Sequence, residues 1–153
     1  MNDALVIEAS VAIKWLIPEE FSDQAEALLI ESRRERKRLV APTLLFSEVA
    51  NAVFQRQRRR DITVAQAERA LIWFFDLPIL AVHTPDLHTQ AFRFARRHWL
   101  QSVYDAEYAI VVQMTHSPLW TADRALFDSV REPRYWIRWI GEYPSPSPAS
   151  SRR

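Results

Sequence analysis

The stretch LVIEASVAIKWLIPEE (5–20) sets the fold class. LVIEA (5–9) is a short apolar run with β-branched residues, the pattern of a strand buried on both faces. Ser10 stands where an N-cap opens a short helix, and Pro18 ends or kinks that helix. A strand that passes at once into a helix is the repeating unit of a parallel α/β sheet.

The rest of the chain repeats this alternation. Ser22 is the expected cap of a helix running to about Lys37, and LVAP (39–42) reads as a second strand. Thr43 is the expected cap of a helix over 44–60. Thr63 and Gln66 have capping-box spacing and predict a helix through Phe75. ILAVH (79–83) is a third strand. Thr84, with Pro85 at the first helical position, opens a helix to His98. Ser102 and Asp105 open another, to Thr115. PLWTA (118–122) is a fourth strand, followed by a short helix over 123–129, and RYWIRWI (134–140) is a fifth, at an edge. Right-handed crossovers between such strands imply a mainly parallel sheet covered on both faces. Residues 1–140 read as one domain and 141–153, GEYPSPSPASSRR, as a disordered Pro/Ser-rich tail.

Composition narrows the chemistry. The 153 residues suit a single domain, with six Trp and eight Phe to fill a core. The absence of Cys rules out a thiolate metal site and a Cys nucleophile. A single glycine argues against Gly-rich phosphate loops; there is no GxGxxG and no P-loop. No GxSxG elbow marks a hydrolase serine. The N-terminus lacks the pattern of a signal peptide and no apolar run is long enough to cross a bilayer, so a cytoplasmic location is the expectation. Net charge is only +1, yet arginine is clustered. Arg33, Arg34, Arg36, Lys37 and Arg38 form one group, Arg56, Arg58, Arg59 and Arg60 a second, and Arg93, Arg96 and Arg97 a third. Individually these read as solvated helix ends; together they offer a phosphate-attracting rim.

Four carboxylates stand out: Glu8 in VIEAS (6–10), Glu48 in FSEVAN (46–51), Asp105 in SVYDAEYA (102–109) and Asp123 in WTADRAL (120–126). Ligands of an open parallel sheet bind beyond the carboxyl ends of its strands. Glu8 ends strand one, Asp123 follows strand four, and the helices carrying Glu48 and Asp105 begin at the same edge. Each acid has a plainer reading. Asp105 can be part of a capping box with Ser102, Asp123 a first-turn acid, Glu48 half of a buried Glu–Arg pair. Together they propose a site for a hard cation, Mg²⁺ or Mn²⁺, because every donor is oxygen. His83, His88, His98 and His116 lack metal-ligand spacing and read as structural or surface residues.

These motifs, in this order, resemble the PIN-domain ribonucleases, most closely the VapC-type toxins of toxin–antitoxin pairs. The resemblance spans about residues 5–140 and rests on VIEASVAIKWLIPEE, LVAPTLLFSEVANAVFQRQRRR, LQSVYDAEYAIVVQ and WTADRAL. It implies a three-layer α/β/α sandwich and a Mg²⁺- or Mn²⁺-dependent endoribonuclease. By motif position its catalytic and metal-binding acids fall on Glu8, Glu48, Asp105 and Asp123, with Ser10 and Thr121 as supporting hydroxyls. It further implies an RNA substrate, a cognate antitoxin and a homodimer. One departure is Glu8, where the family has Asp; the longer side chain leaves open a weakened or inactive PIN-like binding module. Trp15, Phe46, Phe54, Trp73, Phe74 and Phe75 are candidates for core, groove or dimer patch. A small phosphatase would want a DxD-type motif, which is missing; a DNA-directed nuclease remains a rival.

Overall fold

The computed structural model of the chain describes residues 3–130 and 136–145. Strand β1 (Ala4–Ile7) leads into helix α1 (Ala9–Ala12), which continues as a 3₁₀ turn over Ile13–Trp15. Next come α2 (Ser22–Arg34), β2 (Arg38–Pro42), the helix pair α3 (Leu44–Arg58) and α4 (Val64–Phe75), and β3 (Ile79–Val82). A second helix pair, α5 (Pro85–His98) and α6 (Val103–Thr115), leads to β4 (Leu119–Thr121). Helix α7 (Arg124–Ser129), β5 (Ile137–Trp139) and a 3₁₀ turn over Ile140–Glu142 follow.

The five strands are all parallel and lie in the order β3-β2-β1-β4-β5. The chain therefore builds outward from β1 to one edge, then returns to lay β4 against the other side of β1. That reversal opens a crevice beyond the carboxyl ends of β1 and β4, where an α/β sheet binds its ligands.

Both faces are buried, which is why the central strands are unbroken apolar runs. Ala4 and Val6 of β1, Val40 of β2 and Leu119 of β4 point to one face, covered by Leu87, Ala91 and Phe94 of α5 and by much of α6. Leu5, Ile7, Leu39 and Ala41 point to the other, against Val11, Leu28, Leu45, Val49 and Phe74 from α1 to α4. The result is the expected α/β/α sandwich. β3 is also an edge strand, so Leu80 is exposed.

Several helix starts differ from expectation. Ser10 does not cap α1; the Glu8 side chain does, by accepting the Ser10 N–H. Thr43 already has helical dihedrals (φ −60, ψ −24), so its hydroxyl makes no capping bond. Phe21, left-handed at φ 65, precedes α2, and the Ser22 hydroxyl instead accepts the Glu19 N–H at 2.9 Å. α2 stops at Arg34 rather than Lys37 because Arg36 is left-handed at φ 58. The capping box of Thr63 and Gln66 is present, as are the caps at Thr84 and Ser102. The fifth strand is confined to Ile137–Trp139, with Arg134 and Tyr135 outside the described residues. Of the Pro/Ser-rich tail, Tyr143 packs edge-on against Trp120 and donates to Glu31; residues 146–153 lie outside the described residues.

With one glycine, the chain turns its helix ends with larger residues. Phe21, Arg36, Arg60, Trp99 and His116 all have positive φ. A residue with a Cβ pays for that conformation, whereas glycine does not. Exposed His116 closes α6 at φ 54. His116→Gly should therefore stabilise the fold by about 0.5–1 kcal/mol after glycine's larger entropy loss. The check is a higher urea midpoint at unchanged slope; a lower midpoint would contradict the argument.

Candidate active site

Glu8 is the joint between β1 and α1. Its backbone is extended (φ −110, ψ 150), and its side chain turns forward so that Oε1 accepts the Ser10 N–H at 3.1 Å. Oε2 accepts the Ser10 hydroxyl and, at 3.0 Å, the Thr121 hydroxyl from the end of β4. Ser10 Oγ in turn accepts the Ala122 N–H at 2.8 Å, and Thr121 Oγ1 accepts the Asp123 N–H at 3.0 Å. A buried carboxylate is thereby satisfied, and the ends of two neighbouring strands are tied together.

Each remaining acid enters from a helix start. Asp123 caps α7, with Oδ1 accepting the Leu126 N–H at 3.0 Å. Asp105 lies in the first turn of α6, where its N–H donates to Ser102 Oγ at 3.3 Å. Glu48 lies in the second turn of α3, and its Oε2 accepts the Tyr108 hydroxyl at 2.5 Å. Among the described residues none of the four forms an ion pair, so the Glu–Arg reading of Glu48 is not what is found. The plainer readings of Asp105 and Asp123 hold in part: Ser102 accepts the Asp105 N–H, one half of a capping box, and Asp123 is the N-cap of α7 rather than a first-turn acid. Both acids are also within electrostatic reach of the other carboxylates.

The protonation shifts carry the influence of one acid on another, pair by pair. Burial raises the Glu8 pKa against the opposing hydrogen bonds of Ser10 and Thr121, and the Asp123 charge adds to the rise. Burial raises Asp105 too, with Asp123 again contributing. Glu48 is pushed up to about 7, by burial first, then by the charges of Glu8, Asp105 and Glu107, while the Tyr108 hydrogen bond opposes the shift. The buried Tyr108 hydroxyl is pushed well above its ordinary range, by burial and by the charges of Glu48 and Glu8, so it stays a donor.

Mutually repelling oxygen donors suit a hard divalent cation in type. As the side chains stand, no three His, Asp or Glu among the described residues form a closed ligand group. Glu8, Glu48 and Asp123 are instead turned into hydrogen bonds with the protein itself.

Sequence reasoning missed two neighbours. Tyr108 sits one turn after Asp105 on the same helix and is fully buried, a place where a phenol needs an acceptor. Glu107 is a buried acid held by His88 Nδ1 at 2.9 Å, so His88 is not an isolated surface residue. The arginine groups divide. Arg33–Arg38 gather at the amino end of β2, opposite the acids, and cannot rim them. Arg56 is held by Glu19 and Asp61. Arg93, Arg96 and Arg97 are exposed on α5.

The chain is 32% identical over 125 residues to Ribonuclease VapC3 of Pyrobaculum aerophilum, covering 80% of this chain and 91% of that protein. It belongs to the VapC family of PIN-domain ribonucleases. No protein-family profile matches the chain. The crystal structure of PAE2754 from the same organism superposes with a TM-score of 0.65, covering 92% of both chains at 23% identity; it shares the fold. The VapC-like acids thus stand on a framework that a solved structure also displays.

Two outcomes test the geometry. Folded Glu48 holds its proton to about pH 7, whereas unfolded it releases it near 4.5. Between these values the folded state binds more protons, so stability falls as pH rises through that window. In EDTA, Glu48→Gln should melt higher than wild type above pH 7 and equally below pH 4.5; an equal difference at both would refute the charge argument. Ser10→Ala leaves the Ala122 N–H and Glu8 each short of a partner and should cost about 1–3 kcal/mol in urea denaturation.

Proposed function

We propose that the chain is a Mg²⁺- or Mn²⁺-dependent endoribonuclease, the toxin of a toxin–antitoxin pair, with Glu8, Glu48, Asp105 and Asp123 as its catalytic acids. What supports this reading is that, in a VapC-family chain, Glu8 and Asp123 follow the neighbouring strands β1 and β4 and Glu48 and Asp105 sit in early turns of α3 and α6, none of the four in an ion pair among the described residues. Glu8, Asp105 and Asp123 would hold the cation directly or through water, with Glu48 completing the set. When bound, the cation would activate a water and stabilise charge on the phosphate and the leaving oxygen.

The chain's own groups supply the rest. Tyr108 fixes Glu48 Oε2 and leaves Oε1 to receive a proton from the attacking water. Without a cation, burial and the neighbouring acid charges raise the Glu48 carboxyl above its ordinary value; a bound cation would offset those charges and favour the carboxylate that takes the proton. The water oxygen bonds to phosphorus, the bond to the 3′ oxygen breaks, and that oxygen takes up a proton. The products are a 5′-phosphate and a 3′-hydroxyl. Ser10 and Thr121 hold Glu8 in place and are positioning residues. Partners in this reading are RNA and a cognate antitoxin, with a homodimer as the working form. No described helix is long and apolar enough to cross a membrane.

A second reading has its own support. Glu8 is saturated by Ser10 and Thr121 and serves as the cap of α1, a structural use that an inactive PIN-like module could retain. Cleavage of structured RNA separates the two. Wild type should cut with Mg²⁺ or Mn²⁺, and EDTA or Asp105→Asn should abolish cutting. Cutting that survives both controls refutes the metal reading. An inert wild type rescued by Glu8→Asp assigns this chain to the inactive class.

A further inference from the structure

We infer that the groove where α5 meets α6 is a stacking platform for the bases of single-stranded RNA, with Trp99 as its principal ring and Arg96 as its charged partner. The inference deepens the ribonuclease reading and rests on it.

The groove encloses about 360 Å³, and Phe92, Arg96, Trp99, Ser102 and Val103 are among its lining residues. Trp99 is the C-cap of α5 at φ 54 and ψ 38, a left-handed conformation unusual for so large a side chain. The residue is 84% exposed, the most exposed of the large apolar residues described. The ring thus contributes little to the core and is free to meet a ligand. Phe92 and Tyr104 add exposed rings on either side in sequence.

Two further observations select the occupant. The first is continuity: Ser102 lines the groove, and its hydroxyl caps the turn that carries Asp105. A single strand lying in the groove therefore passes the start of the helix that bears Asp105. The second is charge. Arg93, Arg96 and Arg97 are exposed, and among the described residues none is paired with a carboxylate. No acid lines the groove. Aromatic faces beside unpaired arginines fit bases and phosphates. A second copy packed two-fold on this face would set arginines against their own equivalents. Duplex RNA keeps its bases stacked inside and offers no face to an indole.

The test is binding of a fluorescein-labelled oligoadenylate in EDTA, read by anisotropy, alongside cleavage in Mg²⁺ or Mn²⁺ and sizing by light scattering. Trp99→Ala and Arg96→Ala touch exposed residues and leave the core intact. The expected result for Trp99→Ala is affinity about 5- to 100-fold weaker, with KM raised and kcat preserved wherever cleavage occurs. Trp99→Phe should restore most of the affinity. Oligoadenylate annealed to oligouridylate should bind equally to wild type and Trp99→Ala. Asp105→Asn removes one repelling charge and should bind in EDTA no more weakly than wild type while losing metal-dependent cleavage, so weaker binding in Trp99→Ala is not a consequence of lost catalysis. Unchanged affinity in Trp99→Ala overturns the platform; if the protein also changes from dimer to monomer, the face belongs to a second copy. Metal-dependent cleavage with an indifferent Trp99 sinks this inference alone. Trp99-dependent binding without any cleavage sinks the ribonuclease reading and leaves the platform standing.

Discussion

The junction of Glu8 with Ser10 and Thr121 is the constraint on which the site depends. Parallel strands cannot be joined by a turn, so nothing in the main chain fixes the end of β1 against the end of β4 except sheet hydrogen bonds. Here the Glu8 carboxylate and Ser10 hydroxyl meet the Thr121 hydroxyl and Ala122 N–H, more than a hundred positions away in sequence, and close that gap. The same bonds set the start of α1 and the entry to α7, because Thr121 Oγ1 also receives the Asp123 N–H. A buried carboxylate is tolerable only with such partners, since desolvation otherwise favours its neutral form.

Glu8 also explains how this chain accommodates a longer acid. Its extra methylene relative to Asp is taken up by folding the carboxylate back over its own helix start, where it caps α1. The cap and the proposed metal role compete for the same oxygens. Glu48 stands in a similar balance with Tyr108. The acids therefore sit in a high-energy neighbourhood, with burial and mutual repulsion raising three of them. Perturbation of this kind clusters at functional sites.

Much of the fold was legible because each strand is bounded by turn or cap residues. Runs such as LVIEA and LVAP carry no alternation, which signals burial on both faces, and Thr63 and Thr84 announce their helices by spacing alone. Strand order was not legible, because it depends on long-range packing rather than local pattern; it is the order that makes β1 and β4 neighbours. Caps were misread where backbone conformation overrode residue type, as with helical Thr43 and left-handed Phe21. The acids were visible as charges set among apolar residues. Tyr108 was not, since a tyrosine within an apolar helix resembles core until its hydroxyl is seen to need an acceptor.

A net charge of +1 conceals a strong separation. Arg33 to Arg38 cluster at the C-terminal end of α2, where cations complement the helix dipole, and so lie at the amino edge of the sheet. The acids occupy the carboxyl edge. A polyanion approaching those acids meets repulsion unless positive charge is supplied locally. The distant arginines cannot supply it across the width of the sheet in physiological salt, because screening is nearly complete over one or two Debye lengths. Of the three arginine groups, the one on α5 leads directly into the turn that bears Asp105. Phosphate held near the acids would be balanced by a cation bound among them, by nearby arginines such as those on α5 and Arg124 beside Asp123, or by both. Removing either source leaves the other to offset the repulsion alone.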